Sequence, residues 1–129
     1  MQTKKVGLIC GIVVLIAITF TACATQEDNN INQVRTGTMN RYPNVPIGKA
    51  FNQFFSNGKW TAFTSTKDEQ IVEFTGNCYW LDVSVPMKIQ FTIADNDSFS
   101  LSYLGVDGVD MDSEVRVEIL YGILEKYQP

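Results

Sequence analysis

The sequence contains no histidine. That absence excludes His general bases, His metal ligands and Ser–His nucleophile pairs together. Cysteine is nearly as scarce, with only Cys10, Cys23 and Cys78 present. Of these, Cys78 alone lies in the stretch that reads as a folded domain, so an internal disulfide or thiolate metal centre is not expected there. No glycine-rich phosphate loop interrupts the chain. Positive charge is also short, with 10 Lys and Arg against 14 Asp and Glu. Beyond Lys4 and Lys5 the chain holds 8 basic and 14 acidic residues, a net charge of −6. That balance argues against nucleic acid and against electrostatic adhesion to anionic lipid.

One long apolar run is present. Lys4 and Lys5 precede an uncharged, Val/Ile/Leu-rich stretch, Val6 to Ala22, of 17 residues. A transmembrane helix needs ~20 such residues, so the run is marginal as a span. Its exit, Phe20-Thr21-Ala22-Cys23, resembles the lipobox of bacterial lipoproteins, in which small residues precede a Cys that is acylated before cleavage. The resemblance implies that Phe20, Thr21 and Ala22 form the signal-peptidase recognition site and that the Cys23 thiolate is the nucleophile that takes the lipid. Phe20 stands where the usual residue is Leu, and Cys10, preceded by Leu8 and Ile9, belongs to the apolar run. Ala24 follows the Cys where Asp would favour inner-membrane retention, which implies an outer-membrane destination in an envelope with two membranes. The segments are then a signal peptide over 1–22, a lipidated Cys and flexible tether over 23–40, and one domain over 41–129. The tether is expected because Gln, Glu, Asp, Asn and Thr dominate it, with only Ile31, Val34 and Met39 to bury.

The domain itself reads by periodicity. Pro46 suits a first helical turn. Ile47, Ala50, Phe51, Phe54 and Phe55 then form one apolar stripe at helical spacing, with Asn57-Gly58 as the expected left-handed stop. Trp60 to Thr64 reads as a short strand. From Ile71 to Trp80 the alternation puts Val72, Phe74, Gly76, Cys78 and Trp80 inward and Glu73, Thr75 and Asn77 outward. Val85, Met87, Ile89, Phe91 and Ile93 share the next inward face. Phe99, Leu101 and Tyr103 share the last, with Ser98, Ser100 and Ser102 outward. Asp110, Asp112 and Ser113 offer N-caps to a closing helix whose apolar face is Val115, Ile119, Leu120, Ile123, Leu124 and Tyr127. Gly122, inside that helix, would be explained by close packing on the sheet. The expected fold is α+β, a two-layer sandwich of helix, four-stranded antiparallel meander and helix.

From Tyr42 to Tyr127 the chain is similar to a small domain seen in exported bacterial proteins. The similarity rests on Tyr42-Pro43, Ile47-Gly48-Lys49-Ala50-Phe51, Phe54-Phe55, Lys59-Trp60, Val72-Glu73-Phe74-Thr75-Gly76, Ile89-Gln90-Phe91 and Ile123-Leu124-Glu125-Lys126-Tyr127. It implies the domain boundary and no particular activity.

Two patterns of acids stand out. Asp110-x-Asp112-x-Glu114 has the oxygen-rich alternation of a Ca²⁺ ligand set without a full EF-hand loop, and capping explains these acids equally. Glu73 is the acid deepest in a strand, with a cross-strand ion pair to Lys88 the simplest role. No catalytic residue and no cofactor are expected. The expectation is a non-enzymatic lipoprotein of the cell membrane or outer membrane. Its lipid anchor would hold it to the membrane, and its domain, facing periplasm or exterior, would meet an envelope or extracellular protein through the polar sheet face or a sheet edge. The alternative is a small-ligand binder with a pocket lined by Phe54, Phe55, Trp60 and Trp80.

Overall fold

A computed structural model describes residues 25–129. Phe20, Thr21, Ala22 and Cys23, and the whole apolar run before them, lie outside the described residues. The fold is α+β: the described residues form three helices on one face of a five-stranded antiparallel sheet of order β1-β2-β3-β4-β5. The strands are β1 Ser56–Thr64, β2 Gln70–Trp80, β3 Val83–Ile93, β4 Phe99–Val106 and β5 Val109–Asp110. The first four form the expected meander. The fifth is a two-residue strand beyond the expected four, pairing Val109 with Val106 and Asp110 with Gly105.

The segment read as a flexible tether is instead a helix, α1, Gln26–Thr36. Capping and a narrow contact stripe stabilise it in place of bulk hydrophobicity. Thr25 Oγ1 accepts the Asp28 N–H at 3.0 Å, Glu27 and Asp28 sit in the first turn, and Arg35 sits in the last. Asn30 and Val34, one turn apart, are buried, and Ile31 packs beside them. Asn30 avoids an unsatisfied burial because its Oδ1 accepts from Gln26 Nε2 (2.8 Å) and its Nδ2 donates to Gln70 Oε1 (3.3 Å).

Helix α2, Ile47–Phe54, buries Ile47, Ala50 and Phe51, as its stripe dictates. It ends at Phe55 in extended conformation, not at a left-handed glycine. The left-handed residue is Asn57, at φ 55°, already inside β1, where the register slips between Ser56 and Lys59. Asn57 thus makes a β-bulge rather than a helix cap. Helix α3, Ser113–Glu125, starts on Asp112, whose Oδ1 accepts the Val115 N–H at 3.0 Å. It buries Leu120, Ile123 and Leu124, while Val115 remains a third exposed. A Cβ added at Gly122 would meet nothing within 4 Å, so the expected close packing there is absent.

One core joins the layers. Val34, Phe51, Leu120 and Leu124 of the helices pack on Val72, Phe74, Ile89, Phe91 and Leu104 of the sheet. Phe51 is its centre, within 6.4 Å, ring centre to ring centre, of Phe55, Trp60, Phe74 and Phe91. Cys78 is buried as the alternation requires. Desolvation raises its thiol pKa above the ordinary value, so it behaves as a small apolar side chain.

Two inward assignments fail for identifiable reasons. Tyr103 was expected in the core, but β4 slips by one residue: Phe91 pairs with Leu101 and Gln90 with Tyr103, leaving Ser102 as the extra residue. The slip sends Tyr103 to the open face beside Gln90 and brings Leu104 into the core. Trp80 continues the inward parity of Phe74 and Cys78, yet it is 65% exposed. The strand has run past the end of the helix layer, and none of the described residues covers it.

Candidate functional site

Two features of the surface concentrate chemistry that packing does not use. The first is the β2–β3 hairpin tip. Leu81 and Asp82 form its two-residue turn, with φ of 52° and 65°. Two consecutive positive φ values define the turn whose twist matches a hairpin, normally built from Asn and Gly. A leucine there is strained by its own Cβ. Around the turn the side chains are apolar and open to solvent: Tyr79 is 78% exposed, Leu81 85% and Val83 59%, alongside Trp80. Trp80 and Val83 are direct cross-strand partners on the helix side of the sheet, and Tyr79 lies on the other side, paired with Ser84. The tip therefore presents apolar surface in both directions.

The position of this tip follows from the topology. Helix α1 contacts the opposite end of the sheet, through Asn30 on Gln70 and through Gln33 Nε2, which donates to the Asp97 carbonyl oxygen in the β3–β4 turn. From Gln70 to Trp80 a strand advances ~33 Å. The chain enters the fold at one end of the sheet and displays Tyr79 to Val83 at the other.

The second feature is an open cleft of about 680 Å³ between α1, α2 and the edge strand β1. Phe51, Phe55, Trp60 and Phe74 floor it, and Asn32, Arg35, Lys49 and Asn52 stand at its rim. Of the four residues expected to line a ligand pocket, Phe55 and Trp60 are here. Phe54 lines a separate shallow depression with Gln53, Ile123 and Tyr127, and Trp80 is at the hairpin tip.

The other singled-out acids do not converge. Asp112 caps α3, and Asp110 lies 4.0 Å from Arg116, the only ion pair among the described residues. Among the described residues no group of three or more acids or thiols is placed to hold a metal, and Asp110, Asp112 and Glu114 are not brought together as one. Glu73 is not paired with Lys88. The register sets it opposite Gln90, whose Nε2 donates to Glu73 Oε1 at 2.8 Å. Lys88 is opposite Thr75, one row away.

Sequence reasoning missed Arg116. From the first turns of α3 it donates to the Ser102 carbonyl oxygen (Nη1, 2.6 Å) and to the Met111 carbonyl oxygen (Nη2, 3.1 Å). It thereby fastens the helix to the part of β4 that β5 leaves uncovered. A single Arg on a helix carries no periodic signal of such a role. No helix among the described residues is long and apolar enough to cross a membrane. Compared with known protein families, characterised proteins and solved structures, the chain shows no significant match to any.

Proposed function

We propose that this chain is a lipid-anchored envelope protein, acylated on Cys23, whose domain is a non-enzymatic recognition module for another extracytoplasmic protein. The lipobox-like Phe20-Thr21-Ala22-Cys23 supports the anchor. The observation that carries the recognition reading is the solvent-exposed hairpin tip, Tyr79, Trp80, Leu81 and Val83, at the end of the sheet remote from where the chain enters the fold. Contiguous exposed aromatic and aliphatic side chains mark contact surfaces, and Trp and Tyr are the residues that carry most binding energy in them. With the anchor at the N-terminal end, the tip is directed away from the lipid, towards partners beyond the membrane surface.

The test has two arms. Intact mass and membrane partitioning of wild type beside Cys23→Ser address the anchor. Wild type is expected to lose residues 1–22, gain acyl mass and follow the membrane, whereas the variant does not. Retention of the N-terminus in both would make Val6 to Ala22 an uncleaved signal anchor. For recognition, a photocrosslinker at position 81 in cells is expected to give a discrete protein adduct that one at Lys67, in the exposed β1–β2 turn, does not. Adducts of equal yield at both positions would remove the tip from the reading.

A further inference from the structure

The cleft between α1, α2 and β1 is built against the composition of the chain. Acids outnumber bases overall, yet the residues lining the cleft include two cations, Arg35 and Lys49, and no acid. Among the described residues neither cation has a carboxylate within 4 Å. Helix α2 adds the same sign. Its N-cap, Pro46, offers no side-chain acceptor, its first turn holds no acid, and Pro46, Gly48 and Lys49 all border the cleft. Beneath this rim the floor is apolar and aromatic. Trp60, partly buried, lies nearly parallel to Phe51 (interplanar angle 14°, ring centres 5.7 Å apart), with Phe74 5.0 Å from Trp60 behind it. The amides of Asn32 and Asn52 supply neutral donors at the rim. The volume falls within the range of small-molecule sites, ~300–1,000 Å³.

We infer that this cleft binds a small flat anion: an apolar ring system lying on Trp60, with one acidic group directed to Arg35 and Lys49. Aromatic floor and cationic rim each select one half of such a ligand, and charge-assisted contacts orient it. The inference stands whether or not Cys23 is acylated, and it uses a different part of the surface from the hairpin tip.

The two tryptophans make the test internally controlled, because Trp60 floors the cleft and Trp80 is at the far hairpin. The full chain, labelled with 5-fluorotryptophan and held in phosphatidylcholine nanodiscs, is titrated with naphthalene-2-sulfonate and, separately, with uncharged 2-naphthol. The expected result is a saturable shift of the Trp60 fluorine signal with the sulfonate, no shift of Trp80, and a half-saturation roughly tenfold higher for 2-naphthol. Arg35→Gln/Lys49→Gln is expected to raise the sulfonate half-saturation to the naphthol level while leaving the naphthol response unchanged. The inference is overturned if Trp60 does not respond, if Trp80 responds alone, or if sulfonate and naphthol are equivalent in wild type. The last comparison needs no variant, so it holds even if the double substitution fails to fold.

Discussion

Arg116 reaches from helix α3 to the carbonyl oxygen of Ser102, 2.6 Å away, at the one residue of β4 that the β3 register skips. A bulge leaves local backbone groups without ladder partners, and here a partly buried guanidinium supplies the missing donor. Arg116→Gln, too short to span the gap, is expected to destabilise the fold by ~1–3 kcal/mol in urea denaturation, the range for an orphaned buried polar group. Asp110→Asn removes only the exposed 4.0 Å ion pair with the same arginine and should change stability by less than ~1 kcal/mol. Equal effects of the two substitutions would assign Arg116 to surface charge rather than to the bulge.

Gly122 gives a prediction of the opposite sign. It lies inside α3, and an added Cβ has open space around it. Gly122→Ala should therefore stabilise the helix by ~1 kcal/mol with no packing penalty. In a domain of this size that raises Tm by roughly 4–8 °C, readable by circular dichroism. A lowered Tm would mean that a neighbour crowds the position.

On the proposed recognition role, the hairpin turn would couple stability to binding. Leu81 and Asp82 both occupy the left-handed region. Replacing them with Asn-Gly relieves the strain of an L side chain there, ~1 kcal/mol or more by the handedness argument. The same change removes the most exposed apolar side chain of the tip. The expected outcome is a domain harder to unfold that has lost adducts from a crosslinker at Trp80. Loss of stability on this substitution would show that Leu81 is retained for folding.

Helix α1 is expected to be an integral part of the fold. Val34 is fully buried, and Asn30 bridges to Gln70. Val34→Ala should cost roughly 1–3 kcal/mol, against a negligible change for Thr38→Ala on the exposed segment that follows. Proteolysis before residue 37 in the native state, at wild-type rates in both variants, would contradict this.

Cys78 predicts a pH dependence. Burial raises its thiol pKa, so the folded state holds the proton more tightly than the unfolded state does. The resulting stability is fully present below the ordinary thiol value and is lost as pH rises through the folded one. Iodoacetamide should leave native Cys78 unmodified at neutral pH and alkylate it in denaturant, as peptide mass spectrometry would record.

Much of the fold is legible in local pattern. The Phe51 stripe of α2 and the alternations of β2 and β3 follow from side-chain direction alone, and a buried face imposes them strongly. The misplacements come from information that local pattern does not hold. Parity assigns Trp80 a face, but only the length of the helix layer decides whether that face is covered. Ser102 looks like any alternating serine until its pairing with β3 is known, and the bulge moves Tyr103 to the outside. The polar composition of Gln26 to Thr36 hides a helix because two residues, Asn30 and Val34, supply the buried contact. Of the site, Phe55 and Trp60 were legible as pocket residues, whereas Arg35 and Lys49 come beside them only through the packing of α1 against α2.

Helix α1 also determines how far the domain can travel. Thr25, its cap, is two residues from Cys23, a leash of at most ~7 Å when fully extended. On the proposed acylation, the body cannot sample a wide hemisphere above the bilayer as a protein on a long flexible linker does. It is confined to a thin layer, with a high effective concentration for partners that share that layer and almost none for those outside it. Lengthening the leash with a Gly/Ser insert after Ala24 would dilute the tip among more positions, so the affinity measured on a membrane should fall while that of the isolated contact stays the same.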